Sequence, residues 1–72
     1  MSAAYRLNVV SSARAMLDEC RTAFALAEAA AYDSLGLVRS LEALQEFSRA
    51  SDELADAINT FKRAWDFASR RE

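Results

Sequence analysis

The chain has 72 residues, of which 53% are hydrophobic and 28% charged, and its formal net charge is −2. This balance is typical of one small folded domain rather than a disordered tail. The charge excludes a broad basic field of the kind that attracts nucleic acid or anionic lipid.

The residue types that catalysis and metal binding require are scarce. There is no histidine, a single cysteine (Cys20) and a single glycine, so neither a zinc site of the usual spacing nor a glycine-rich phosphate loop can be assembled. We therefore expect a protein that is not an enzyme and has no cofactor, no metal and no small-molecule substrate. Cys20 is expected in the hydrophobic core, and the acidic residues of the second half on a solvated face.

Membrane and export signals are also missing from the pattern. No charge-free stretch approaches the roughly 18 apolar residues of a membrane span, and the first residues lack the basic and apolar regions of a signal peptide. The expectation is a cytoplasmic protein that does not bind membranes.

The first predicted element is a helix over about residues 3–32. A seven-residue step selects one apolar row, and a second row lies three residues farther along, so that together they form a continuous apolar stripe. The first row contains Ala3, Val10, Leu17, Phe24 and Ala31, and the second contains Ala13, Cys20 and Ala27.

A turn is predicted at about residues 33–36. Gly36 is the only glycine, and Asp33 and Ser34 are of types that favour helix caps and turns.

Helix 2 is predicted over about residues 37–70, unbroken through residues 48–52 because the apolar register does not slip there. Its first row contains Leu37, Leu44, Ser51, Ile58 and Trp65, and its second contains Phe47, Leu54, Phe61 and Ala68. An alanine precedes each first-row residue from Leu44 onward, and we interpret these alanines as the edge of a seam that lets the two helix axes approach closely. This alanine row contains Ala43, Ala50, Ala57 and Ala64.

Two helices of nearly equal length are expected to form an antiparallel hairpin in which facing residue numbers add up to about 69. This pairing places Phe24 against Leu44 and Phe47, and the first turn of helix 1 against Trp65. The predicted core seam contains Val10, Leu17, Phe24, Leu44, Phe47, Leu54 and Ile58.

Both helices offer apolar faces wider than one contact line can cover, since Val9, Met16 and Leu41 widen the stripes. At about 25 cal/mol per Å², covering a few hundred Å² more contributes several kcal/mol before the costs of association. The predicted fold is therefore an all-α, coiled-coil-like two-helix hairpin that pairs as a homodimeric four-helix bundle.

Several large hydrophobic residues lie off both stripes. They either complete the dimer core or anchor a different protein, because aromatic residues on a charged surface are typical binding anchors. The antiparallel pairing gathers aromatic residues at the open end of the hairpin. The candidate protein-binding residues are Tyr5, Leu7, Phe61, Trp65 and Phe67.

The leading functional hypothesis is a small protein-binding module that acts as an inhibitor, adaptor or co-chaperone by occupying a partner's surface. Two alternatives stay open. A dimer could combine Lys62, Arg63, Arg70 and Arg71 with Arg6 and Arg14 into a basic strip for nucleic-acid phosphates, although the helix dipole alone favours cations near a C-terminus. The chain could also be a purely structural assembly subunit.

At the level of fold alone, the predicted hairpin resembles plasmid RNA-binding hairpin dimers, secretion-system co-chaperones and phage-encoded inhibitors of host regulators. This resemblance makes a phage-type modulator of a host regulator one form of the leading hypothesis, and it assigns no residue a role.

Overall fold

The structure is a computed structural model that describes residues 3–70. Two helices, α1 (Ala3–Ala31) and α2 (Leu41–Ser69), pack against each other as an antiparallel hairpin. Each has 29 residues and is therefore about 44 Å long. The predicted all-α hairpin is confirmed, and residues 3–70 contain no β-strand. Neither helix is long and apolar enough to cross a bilayer.

The second helix is continuous through residues 48–52, as the unbroken apolar register predicts. Its start differs from the prediction, because α2 begins at Leu41 and not near residue 37. Ser40 sets this boundary. Its backbone is extended, with φ −162° and ψ 157°, and its Oγ accepts a hydrogen bond of 3.0 Å from the amide of Ala43. Leu37 and Val38 consequently lie in the connection and not on α2.

The connection, residues 32–40, is folded around the side chain of Asp33. One carboxylate oxygen, Oδ1, accepts hydrogen bonds from the amides of Leu35 at 2.8 Å and Leu37 at 2.9 Å. Gly36 has a φ of +79°, a left-handed conformation that glycine adopts without the steric cost of a side chain. The predicted turn residues therefore do reverse the chain, within a longer connection than expected.

Two contacts close the base of this connection. The amide of Arg39 donates to the carbonyl of Ala31 at 2.8 Å, and the Nε of Arg39 donates to the carbonyl of Tyr32 at 2.9 Å. Tyr32 and Val38 form an isolated antiparallel bridge between these bonds. The end of α1 is thus fixed directly to the segment that leads into α2.

The hydrogen bonds to Asp33 predict a dependence of stability on pH. The amides of Leu37 and Leu35, followed by the charge of Arg39, hold the pKa of Asp33 below its ordinary value of 3.8. A carboxylate with a depressed folded pKa stabilises the fold above its unfolded pKa, and this stabilisation is lost as the pH falls through the lower, folded value. Urea unfolding followed by circular dichroism at decreasing pH should therefore show a smaller loss of stability in Asp33→Asn than in the native chain.

Asp56→Asn is the matched control, because it removes a carboxylate from an exposed position of α2. If Asp33→Asn and Asp56→Asn change the pH dependence of stability equally, the Asp33 carboxylate does not stabilise the connection.

The most buried positions of the hairpin are alanines. Five hydrophobic residues of the described chain are buried, and no large side chain is fully buried. The five are Ala13, Ala31, Ala50, Ala57 and Ala64. Three of them belong to the alanine row of α2, which therefore lies at the centre of the seam and not at its edge as predicted. Small side chains there let the helix backbones approach, and larger side chains then cover the contact from both sides.

This arrangement turns α2 about its own axis by one row relative to the prediction. The α2 side of the seam is the alanine row together with the second predicted row, whose members are half-buried: Phe47, Leu54, Phe61 and Ala68. The first predicted row turns away from the seam along most of α2: Ser51, Ile58 and Trp65 are exposed, whereas Leu44 stays half-buried. On α1 the predicted stripe is buried or half-buried from Val10 to Ala31, whereas Ala3 is exposed.

Ring contacts fix the register of the hairpin. The predicted contact between Phe24 and Phe47 is present, with ring centroids 5.1 Å apart, and Tyr32 packs against the edge of the same Phe47 ring at 5.9 Å. At the open end, Tyr5 contacts Phe67 at 6.2 Å. This contact agrees with the predicted gathering of aromatic residues at the open end, although Trp65, which was predicted to meet the first turn of α1, is exposed.

Candidate functional site

The five predicted protein-binding residues lie at the open end of the hairpin, but on different sides of it. Successive residues of an α-helix are rotated by about 100°, so residues two apart project to nearly opposite sides. Tyr5 and Leu7 are related in this way on α1, and so are Trp65 and Phe67 on α2. Tyr5 contacts Phe67, while Phe61 is half-buried in the seam. The predicted cluster is therefore two surfaces separated by the seam.

The first surface, here called the groove flank, carries the Tyr5–Phe67 pair and a shallow groove between the helices. Val9 and Met16 of α1 and Thr60 and Ala64 of α2 line this groove, with Asn8, Ser12 and Ala13 completing it. The groove exists because the small side chains of α2 face the longer ones of α1. It can accept one or two apolar side chains, with the polar groups of Asn8, Ser12 and Thr60 available at its border.

The second surface, here called the α2 flank, is formed by two sets of residues on α2. One set is the first predicted row, which is turned out of the seam, and the other consists of the residues three positions before each member of that row. Leu41 is 70% exposed, Ile58 39% and Trp65 57%, so these large side chains project into solvent. Residues three and seven apart lie on one side of a helix. The α2 flank contains Leu41, Leu44, Ser48, Ser51, Ala55, Ile58, Lys62 and Trp65.

The α1 residues on the same side as the α2 flank are mostly charged. Leu7, Arg14, Arg21 and Glu28 follow one another at seven-residue steps, and Arg14 forms an exposed ion pair with Asp18 at 3.1 Å. The apolar surface on this side therefore belongs to α2, and charged residues of α1 border it.

The closed end of the hairpin adds an apolar patch that the sequence pattern did not single out. Leu35, Leu37 and Val38 are exposed in the connection, directly before the exposed Leu41. The signal was ambiguous because Leu37 fits the apolar register of a longer helix. Exposed hydrophobic residues consequently occur at both ends of the molecule.

The basic residues proposed for the nucleic-acid alternative do not form one continuous strip on the described hairpin. Lys62 and Arg63 are exposed neighbours, and their side chains diverge by about 100° around α2. Arg6 donates a hydrogen bond of 3.3 Å to the carbonyl of Arg70, which brings these two residues together at the open end. Arg71 lies outside the described residues.

The other ionisable groups considered in the sequence are the thiol of Cys20 and the acidic side chains of α2. Cys20 is a free, half-buried thiol, and within residues 3–70 no three or more cysteine and carboxylate side chains are grouped to hold a metal ion. The five acidic residues of α2 that were expected on its solvated face are exposed: Glu42, Glu46, Asp52, Glu53 and Asp56.

Comparison of the chain with known proteins gives no match to a family model, a curated protein or a solved structure.

Proposed function

We propose that the chain is a non-catalytic protein-binding module that works as a homodimeric four-helix bundle and acts by occupying the surface of a partner, as an inhibitor, adaptor or co-chaperone. One observation supports this most directly. The buried core of the described hairpin consists of alanines, whereas ten large hydrophobic side chains are exposed. Extended apolar surface of this kind is typical of proteins that associate.

The groove flank is the surface proposed for the partner. A groove between two helices, with apolar walls and a polar border, fits an amphipathic helix that inserts one or two apolar anchors. The Tyr5–Phe67 pair lies on the same flank and extends the contact toward the open end. Aromatic residues beside a groove are the kind that carry much of the binding energy in protein interfaces.

Site-specific photocrosslinking tests this proposal. A photoreactive residue in place of Met16, which lines the groove, should capture one defined protein in the native cell extract. The same residue in place of Gln45, an exposed position of α2, should not capture it.

The captured protein is then purified and its affinity measured by calorimetry. Ser12→Arg, which fills the groove with a charged side chain, should weaken binding at least about tenfold, whereas Gln45→Arg at an exposed position of α2 should leave binding unchanged. Equal capture at both positions, or equal affinity of both variants, would remove the groove flank as the partner site.

A further inference from the structure

We infer that two copies of the chain associate through the α2 flank, with the two α2 helices antiparallel across a two-fold axis that passes between Ser51 and Ala55, level with residue 53. This inference rests on the proposed homodimer and names the surface and direction of its assembly. The second copy supplies the cover for Leu41, Ile58 and Trp65, which the hairpin itself leaves in solvent.

The folded hairpin exposes more surface than a compact protein of the same mass. The folded chain exposes 5578 Å², whereas a compact protein of its 8.0 kDa mass exposes roughly 4,450 Å². The excess of roughly 1,100 Å² exceeds the roughly 800 Å² that each partner contributes to a standard protein interface. A second hairpin laid along the first can remove this excess, because both molecules are elongated and 52 Å long.

The order of side-chain sizes along the α2 flank favours the antiparallel direction. Large residues occupy its two ends, and the small residues Ser48, Ser51 and Ala55 occupy its middle. Antiparallel pairing about this axis places Leu41 opposite Trp65 of the second copy and Ile58 opposite Ser48. The small residues meet at the centre, where they allow the helix axes to approach closely, as the alanine row does within each hairpin.

The helix dipoles favour the same direction. The antiparallel arrangement opposes the dipoles of the two α2 helices, whereas a parallel arrangement would align them side by side.

The groove flank is less suited to a second copy. Glu46 and Glu53 precede Thr60 and Phe67 at seven-residue steps on that side of α2. A two-fold axis over this flank would bring the carboxylates of both copies toward one another, which is destabilising. Of the two apolar surfaces, the α2 flank is therefore the one whose pattern complements itself.

The direction of pairing can be measured by pulsed electron paramagnetic resonance on spin labels attached to single cysteines in a Cys20→Ala background. Glu42 and Gln45 are exposed positions of α2 outside the α2 flank, at different distances from the inferred axis. The antiparallel dimer predicts separations along the helix of about 33 Å between the two labels at residue 42 and about 24 Å between those at residue 45. Short and similar distances at both positions would show parallel helices and overturn the inference.

The choice of surface is tested by a matched pair of substitutions, each of which puts arginine in place of an exposed serine on a helix. Ser51→Arg places like charges near the axis and should raise the dissociation constant of the dimer at least about 100-fold, whereas Ser12→Arg in the groove should leave it unchanged. Circular dichroism confirms that both variants remain helical. A dimer that survives Ser51→Arg or dissociates with Ser12→Arg overturns the inferred surface, and a native chain that is monomeric overturns the proposed homodimer as well.

Discussion

Replacement of Phe47 by alanine is expected to lower the free energy of unfolding by about 3 kcal/mol, the largest single-residue effect in the hairpin. The ring of Phe47 lies between Phe24, at 5.1 Å, and Tyr32, at 5.9 Å. Its removal empties the contact that joins α1, the connection and α2. Because Phe47 is half-buried, the loss should fall near the lower end of the range for core phenylalanines.

Phe67→Ala is the control for this prediction. Phe67 is also half-buried on α2 but contacts a single ring, that of Tyr5, at 6.2 Å, so its loss should be smaller by about 1 kcal/mol. Urea unfolding of both variants, at one protein concentration because association contributes to apparent stability, makes the comparison. A greater loss for Phe67→Ala would show that the open end, and not the ring cluster beside the connection, holds the helices together.

The second large effect is expected at the buried alanine row of α2. Ala57 is one of the buried alanines at the centre of the seam, and Ala57→Leu has no space for its added side chain unless the helices move apart. The expected loss is about 2–3 kcal/mol of unfolding free energy, toward the upper part of the usual range for overpacked cores. Thermal unfolding monitored by circular dichroism should show the corresponding decrease in Tm.

Ala29→Leu is the matched substitution for this second effect. Ala29 is exposed on α1, and leucine is nearly as good a helix former as alanine, so the change should stay within about 0.5 kcal/mol. If the two leucine variants were equally stable, α2 would not contact α1 through its alanine row.

The sequence allowed α1, the single turn region and the unbroken second helix to be predicted, because each rests on local properties. Alanine-rich helix formers, one glycine and a steady apolar register point to the same structure. The contact of Phe24 with Phe47 was also predicted. The rows that contain these two residues face the seam whether or not α2 is rotated by one row.

The rotation of α2 could not be predicted from hydrophobicity, because two rows compete for the seam. Leu44, Ile58 and Trp65 form the more hydrophobic row, whereas the alanine row permits the closer approach of the backbones. A pattern of residue types gives no distance between helix axes, and that distance decides which row is buried. The start of α2 was missed for a local reason, since the capping side chain of Ser40 overrides an apolar register that continues back to Leu37.

The candidate site was only partly predictable for the same reason. Tyr5, Leu7, Trp65 and Phe67 were correctly expected at the open end, but their division between two flanks depends on the rotation of α2. The α2 flank itself was hidden by the assignment of its residues to the seam. Once α2 is turned, these residues become the apolar surface that the hairpin cannot cover alone.

Sedimentation equilibrium of the native chain tests this central claim most directly. Between about 1 and 300 μM, a range that covers dimers of moderate affinity, the measured mass should rise to twice the 8.0 kDa of one chain. A folded species of 8.0 kDa at the highest concentration would show that one hairpin tolerates its exposed apolar flank, and the proposed assembly would be wrong.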